Sequence, residues 1–162
     1  MPDHLYSVLN PKRTDDMEKL FARAKFHTAH RQLDYDGKCR FVHGHTWHGE
    51  ITVKTESFPR DEKLDMTLDF GCLKDILKGL DHKMLVSTRD ELFLNSDLFE
   101  PEGIVVMPGR NPSVENVATY AMNESIEVLV KHFTERQIEY WIEVKIQETE
   151  NNIYTIDQTV TI

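Results

Sequence analysis

Alternation between apolar and polar side chains predicts two strands near the start of the chain. Over residues 22–30 every second side chain is apolar or neutral, while Arg23 and Lys25 lie between them. Residues 43–55 alternate in the same way. A period of two is typical of a strand with one covered and one solvated face. We therefore expect two neighbouring strands, preceded by an irregular N-terminal arm over residues 1–17.

A helical period follows a polar, turn-like stretch. Asp69 can cap the N-terminus of a helix that ends near Gly79. The apolar stripe of this helix consists of Phe70, Leu73, Ile76, Leu77 and Leu80. Residues 86–103 have no clear period, so we expect irregular structure there and a short extended piece at 104–107.

A longer helix and two closing strands complete the pattern. Ser113 is a suitable N-cap, Glu115 lies near the positive end of the helix dipole, and the helix extends to about Phe133. Residues 138–146 and 153–162 alternate again. Two strands, two helices and two strands predict an α+β fold, with one four-stranded antiparallel sheet and both helices on one face.

Length and composition favour a single globular domain over residues 1–162. Of these residues 40% are hydrophobic, so the chain can bury a core without disulfide support. No apolar run is long enough to span a bilayer, and the N-terminus lacks the apolar stretch of a secretory signal. We therefore expect a cytoplasmic protein with no membrane partner.

The charge and the cysteines narrow the range of partners. A formal net charge of −9 opposes binding to a nucleic-acid backbone. An anionic small molecule is compatible with this charge, because it needs only a locally basic pocket. The two cysteines, Cys39 and Cys72, form no CxxC pair, which favours two free thiols in a reducing compartment.

The HGH segment at residues 43–45 is the strongest local signal of chemistry. Residues two apart on a strand point the same way, so both imidazoles can reach one ion. His30 lies on the apolar side of the preceding strand, and three imidazoles with one open position are typical of catalytic zinc. Hydrogen-bonded core histidines are the alternative. The same parity puts His27 and His48 on the charged sides.

Cys39 and the Asp81–His82 pair are further candidates. Cys39 is flanked by Lys38 and Arg40, and cationic neighbours favour the thiolate, the form that acts as base or nucleophile. Asp81 and His82 set a carboxylate beside an imidazole just past a helix end. Helix capping is the alternative role for this pair.

Glu148 continues the apolar phase of the strand at 138–146. A carboxylate on a covered face needs a partner. If the strand ends before this residue, Glu148 is instead a solvated strand end. The pattern leaves both interpretations open.

Six short motifs occur in order along most of the chain: FHTAH (26–30), C-x-x-x-HGH (39–45), LDF (68–70), LDH (80–82), NPSVEN (111–116) and ETENN (148–152). Together they resemble the family of 6-pyruvoyltetrahydropterin and 6-carboxytetrahydropterin synthases. The resemblance implies a tunnelling fold (T-fold), whose four-stranded units join edge to edge into a barrel. It further implies a homo-oligomer, usually a hexamer of two stacked trimers, and 7,8-dihydroneopterin triphosphate as substrate.

The resemblance also implies roles for individual residues. Cys39 corresponds to the catalytic base, and Asp81 and His82 correspond to its partner pair. The implied ligands of a zinc (Zn²⁺) cofactor are His30, His43 and His45.

Three further positions correspond to the pterin pocket. Glu148 corresponds to the carboxylate that binds the amino-pyrimidine edge of the pterin, and Ser113 and Glu115 to a helix start near the ring. Only three residues separate Cys39 from the HGH segment. This spacing resembles the 6-carboxytetrahydropterin branch of the family, which serves 7-deazaguanine and queuosine biosynthesis.

The resulting expectation is a lyase that forms 6-carboxy-5,6,7,8-tetrahydropterin and releases triphosphate and acetaldehyde. One alternative is the pyruvoyl-forming synthase, which uses the same substrate and the same site. Another is a non-catalytic protein of this fold that binds a pterin or purine. Cys39, Asp81 and His82 argue against that second alternative, since a binding protein needs no thiolate.

Overall fold

The computed structural model describes residues 16–97, 99–109, 111–134 and 137–162. Residues 1–15 of the expected N-terminal arm lie outside this part of the chain. The elements are β1 (Glu18–His30), β2 (His43–Thr55), α1 (Phe70–Lys78), β3 (Lys83–Val86), α2 (Glu91–Leu94), β4 (Ile104–Val106), α3 (Val114–His132), β5 (Glu139–Gln147) and β6 (Ile153–Thr161). Short 3₁₀ turns occur at Lys38–Arg40 and Pro101–Gly103.

The sheet has six strands in the order β4-β3-β1-β2-β5-β6. The prediction of a sheet with only four strands, all antiparallel, is therefore wrong, because the sheet has two further strands and is mixed. β1, β2, β5 and β6 pair antiparallel as expected, but β3 and β4 extend the sheet beyond β1 in parallel. The segment 86–103, expected to be irregular, also contains the short helix α2.

The register between β1 and β2 determines where the histidines lie. Phe26 pairs with Trp47, and His30 pairs with His43. Phe26 and Trp47 are fully buried on the side that α1 and α3 cover, whereas His27 and His48 belong to the other side. We call these sides the covered face and the open face of the sheet.

Both long helices begin at the residues that the sequence predicts. The Asp69 side chain accepts a hydrogen bond from the Gly71 N–H group, and Ser113 accepts one from the Asn116 N–H group. α1 packs against β1, and α3 packs against β5 and β6. Gly49 allows this packing, because a Cβ there would lie 2.5 Å from Leu77 Cδ2. The result is a core between the helices and the covered face.

Within the described residues, no helix has the length and apolar character of a membrane span.

Candidate metal centre

Three imidazoles converge at one end of the covered face. One nitrogen from each of His30, His43 and His45 lies within 4.8 Å of the others. The ring centroids are 4.6 Å apart for His30 and His43 and 4.9 Å for His43 and His45. The cause is the β1–β2 register, which sets His30 directly opposite His43 while alternation brings His45 to the same face. This is a spacing that can hold one metal ion.

Backbone carbonyls determine which nitrogen of two rings is free. His30 Nδ1 lies 2.7 Å from the carbonyl oxygen of Pro112, and His43 Nδ1 lies 2.8 Å from that of Phe41. A carbonyl oxygen only accepts hydrogen bonds, so each Nδ1 carries the proton and donates. In the neutral form of each ring, Nε2 then keeps its lone pair, as a metal ligand requires.

The environment of His30 fits a bound cation. Its Nε2 atom is buried and makes no hydrogen bond to the described residues, and an unsatisfied polar atom in the interior is costly. Burial lowers the pKa of His30, with the nearby His43 and His45 acting in the same direction. Burial likewise lowers the pKa of His45. Both shifts favour the neutral imidazole, which is the form that binds metal.

Glu148 lies directly beside this cluster. Its Oε1 atom is 3.5 Å from His30 Nε2, and its side chain is 16% exposed. β5 ends at Gln147, so Glu148 is the first residue after the strand and keeps the inward phase. Asn152 Nδ2 lies 3.4 Å from Oε2, and the Glu148 N–H group donates to the Asn152 carbonyl. A carboxylate is therefore held at the rim of the histidine cluster.

The start of α3 also borders the cluster. Ser113 caps this helix, next to the Pro112 carbonyl that accepts from His30. Glu115 occupies the first turn and is exposed. Ser113 therefore directly follows the residue that contacts His30, whereas Glu115 lies further along the helix.

Cys39 lies in the 3₁₀ turn between β1 and β2 and is exposed. Its carbonyl oxygen accepts a hydrogen bond from the Gln32 N–H group at 2.8 Å. Within the described part of the chain, no hydrogen bond or ion pair connects the thiol with Asp81 or His82. The structure does not bring these three expected catalytic residues together through a direct contact.

Asp81 and His82 form a pair on the open face. His82 Nδ1 lies 2.9 Å from Asp81 Oδ2, and the His27 N–H group donates to Asp81 Oδ1 at 2.6 Å. The pKa of Asp81 is lowered, first by the His27 N–H group and then by His82. The His82 ring stands edge-on to the His27 ring, with the centroids 6.1 Å apart. Both rings line a cleft of about 600 Å³ that also includes Thr46 and Lys83.

Sequence inspection missed the residues that hold this site in place. Asn111 makes two hydrogen bonds to the backbone of Leu33, and the Pro112 carbonyl fixes His30. Both belong to the NPSVEN segment, in which the family resemblance implies roles only for Ser113 and Glu115. An Asn-Pro pair at a helix start is a turn signal, and it was the one local hint.

Curated relatives of this chain share one name. A 6-carboxy-5,6,7,8-tetrahydropterin synthase of Rickettsia conorii is 30% identical over 141 residues, which cover 83% of this chain and 96% of the relative. A putative enzyme of the same name from Pyrococcus abyssi is 28% identical, covering 76% and 83%.

Solved structures resemble the fold. The 6-pyruvoyl tetrahydropterin synthase of Plasmodium vivax superposes with a TM-score of 0.61 at 18% identity, covering 90% of this chain and 100% of that chain. The Caenorhabditis elegans enzyme gives a TM-score of 0.54 at 21% identity, covering 88% and 96%. The family model described as 6-pyruvoyl tetrahydropterin synthase matches residues 19–159. The chain belongs to the 6-pyruvoyl tetrahydropterin synthase family.

Proposed function

We propose that this protein is a zinc-dependent lyase that converts 7,8-dihydroneopterin triphosphate and water to 6-carboxy-5,6,7,8-tetrahydropterin, with release of triphosphate and acetaldehyde. The observation that carries the proposal is the contact between two groups of different chemistry. Three imidazoles converge, and the Glu148 carboxylate lies 3.5 Å from one of them. The curated relatives named 6-carboxy-5,6,7,8-tetrahydropterin synthase support this product.

His30, His43 and His45 are the proposed zinc ligands. Three protein nitrogens leave one position of a tetrahedral ion for substrate, which is the pattern of catalytic rather than structural zinc. When bound, zinc supplies Lewis acidity toward the substrate hydroxyls and makes the adjacent C–H bond more acidic. The Pro112 and Phe41 carbonyls keep His30 and His43 in the tautomer that coordinates.

Glu148 is the proposed anchor for the pterin ring. A pterin presents adjacent N–H donors on its pyrimidine edge, and a carboxylate can accept two of them side by side. Asn152 restrains Oε2, which orients the carboxylate beside His30. Ring binding at Glu148 therefore brings the substrate side chain toward the metal centre, and Ser113 and Glu115 mark the adjoining helix start.

Cys39 is the proposed base that removes the side-chain proton, and Asp81–His82 is the proposed relay that returns protons. His82 stands beside His27 on the open face, while His30 belongs to the covered face. Because these groups lie on opposite faces of one sheet, we propose that the relay of one copy serves the metal centre of another. A hexamer of two trimers is the assembly that we propose.

A barrel of several copies also gives the sheet edges a partner. β4 and β6 are the two outer strands of the described sheet, and outer strands tend to pair with another chain unless they are protected. We propose that the protein acts in the cytoplasm, in 7-deazaguanine and queuosine biosynthesis.

Product analysis tests the proposal. The zinc-loaded protein is incubated with 7,8-dihydroneopterin triphosphate, and the products are identified by mass spectrometry. We expect 6-carboxytetrahydropterin together with acetaldehyde. A 6-pyruvoyl product, suggested by the names of the solved neighbours, would correct the branch but keep the site. Binding without any turnover would contradict the assignment as an enzyme.

A further inference from the structure

The side chain of Asn111 binds both backbone groups of one distant residue. Its Oδ1 atom accepts from the Leu33 N–H group at 2.8 Å, and its Nδ2 atom donates to the Leu33 carbonyl at 3.0 Å. The two residues are 78 positions apart in the chain. A carboxamide that pairs in this way imitates a neighbouring strand and fixes both the position and the orientation of the peptide it holds.

Leu33 lies near the start of the loop that carries Cys39. The loop leaves β1 after His30 and enters β2 at His43. Next to Leu33, the Gln32 N–H group donates to the Cys39 carbonyl at 2.8 Å and closes the loop at its base. A restraint on the Leu33 peptide therefore restrains the peptide that contacts Cys39.

The residue after Asn111 holds a proposed zinc ligand. The Pro112 carbonyl accepts from His30 Nδ1 at 2.7 Å and from Gln32 Nε2 at 3.3 Å. Two consecutive residues, 111 and 112, thus bind both sides of the candidate site. One side is the imidazole of His30, and the other is the base of the Cys39 loop.

This two-residue support is itself fixed to α3. Asn116 Nδ2 donates to the Asn111 carbonyl at 2.7 Å, from the first turn of the helix. Gly109 packs against the same amide, since its φ is +77° and an added Cβ would lie 2.7 Å from Asn116 Nδ2. The position of Asn111 is therefore set by a rigid element rather than by the loop that it holds.

We propose that Asn111 is a positioning residue that sets the distance between the His30 metal ligand and the Cys39 thiol. The proposal rests on the proposed function, because it assigns Asn111 the task of aligning the base with the metal-bound substrate. Asn111 makes no contact with the substrate in this account. Its loss displaces the base and loosens a ligand, and a misplacement of about 1 Å can cost on the order of 10²-fold in rate.

Asn111→Asp and Asn111→Ala test this role, each made in a Cys72→Ala background so that Cys39 is the one thiol. Aspartate has the same shape, but it sets a carboxylate oxygen against the Leu33 carbonyl in place of the Nδ2 donor. Asn123→Asp and Asn123→Ala make the same chemical changes at an exposed position of α3 and serve as controls. Thermal unfolding and oligomer size verify that each variant folds, and Asn111→Asp keeps the test valid if Asn111→Ala does not fold.

Three measurements are compared among the variants. Zinc affinity, measured by chelator competition, should fall by up to about tenfold, because displacement of Asn111 shifts the Pro112 carbonyl that holds the ligand His30. The alkylation rate of Cys39 by iodoacetamide should change, because the loop geometry changes. With substrate, kcat should fall on the order of 10²-fold while KM changes little.

The outcomes separate this inference from the proposed function. Altered zinc affinity and altered Cys39 alkylation in the Asn111 variants, with unchanged controls, support the positioning role even if the unsubstituted protein fails to turn over the pterin. In that case it is the proposed function that fails. Unchanged zinc affinity and alkylation, a change in only one of them, or a raised KM with kcat intact would overturn the role of Asn111.

Discussion

The covered and open faces of the sheet carry two very different groups of histidines. On the covered face, the His30 side chain is 1% exposed and its Nδ1 proton is held by a backbone carbonyl. On the open face, the His82 side chain is 81% exposed and its partner is the Asp81 carboxylate. The same sheet therefore carries a candidate metal site on one face and a solvated Asp81–His82 pair on the other.

This difference indicates what each group still needs. In the covered-face cluster, the buried Nε2 atom of His30 has no hydrogen-bond partner among the described residues, and a metal ion would satisfy it. The Asp81–His82 pair needs no ion, since His82 already donates to a carboxylate. The cleft beside it is open to solvent. In the proposed assembly, the metal centre of a second copy of the chain faces this cleft.

Removal of a proposed ligand histidine should have the largest effect. It should also distinguish most clearly between histidines of the covered face and histidines of the open face. His30→Ala, His43→Ala and His45→Ala should each lose zinc and all turnover, since two nitrogens are too few for a tight site. His27→Ala and His48→Ala, on the open face, should retain about one zinc per chain. Metal analysis by mass spectrometry measures this. Equal losses at His27 and His43 would mean that the metal site is not confined to the covered face.

Replacement of Glu148 should have the next largest effect. Glu148→Gln leaves one acceptor and introduces a mismatched donor at the pterin edge. A charge-assisted hydrogen bond contributes on the order of 1.5–3 kcal/mol, so pterin binding should weaken roughly ten- to a hundredfold. Zinc content and assembly should not change. Calorimetric titration with a simple pterin measures the affinity.

Glu150→Gln is the matched control for this prediction. Glu150 is exposed two residues further along and contacts none of the cluster histidines in the described structure. Equal affinities for Glu148→Gln, Glu150→Gln and the unsubstituted protein would mean that Glu148 is not the pterin anchor.

As the pH falls, protonation of His30 and His45 on the covered face should destabilise the metal-free protein before protonation of Asp81 does. Burial lowers the pKa values of His30 and His45 from 6.5, so the unfolded state binds more protons just below that pH. Their contribution to stability is complete above pH 6.5 and is lost as the pH falls below it. Asp81, whose pKa is lowered from 3.8, acts only in a more acidic range.

Thermal unfolding of the metal-free protein between pH 7 and pH 5 tests this order. The midpoint should fall by a few degrees, on the order expected for a kcal/mol or so of lost stability. The fall should be smaller in His30→Asn, which removes one titrating ring. The midpoint of Asp81→Asn should fall by the same amount as that of the unsubstituted protein. A strongly different fall would mean that this pH range does not belong to the covered face alone.

Local periodicity predicted most of the fold that carries the site. The alternation in β1 and β2 separates His30 from His27 correctly, because a covered strand must keep one parity over its whole length. β3 was missed, and β4 was predicted only as an extended piece at 104–107 without a place in the sheet, because strands of four and three residues are too short to show a period. Their parallel pairing beside β1 depends on tertiary packing.

The contacts that shape the site were largely invisible in the sequence. Asn111 reaches Leu33 across 78 residues, and such a hydrogen bond leaves no periodic trace. The sequence also did not predict on which face His82 lies relative to the cluster of His30, His43 and His45. This placement depends on the backbone of His27, which holds the Asp81–His82 pair on the open face. The residue types indicated the chemistry of the histidine cluster and of the Asp81–His82 pair. Only the fold shows that the two groups lie on different faces of the sheet.

Complementation between two inactive variants tests most directly whether the two faces form one active site in neighbouring copies. Cys39→Ala and His82→Ala are each produced alone, and then produced together with different affinity tags. Oligomers that contain both chains are purified through both tags. We expect each variant alone to be inactive and the mixed oligomers to regain turnover, because some sites then combine an intact Cys39 with an intact His82 from another chain. Mixed oligomers that form but remain as inactive as either variant would contradict a site shared between copies.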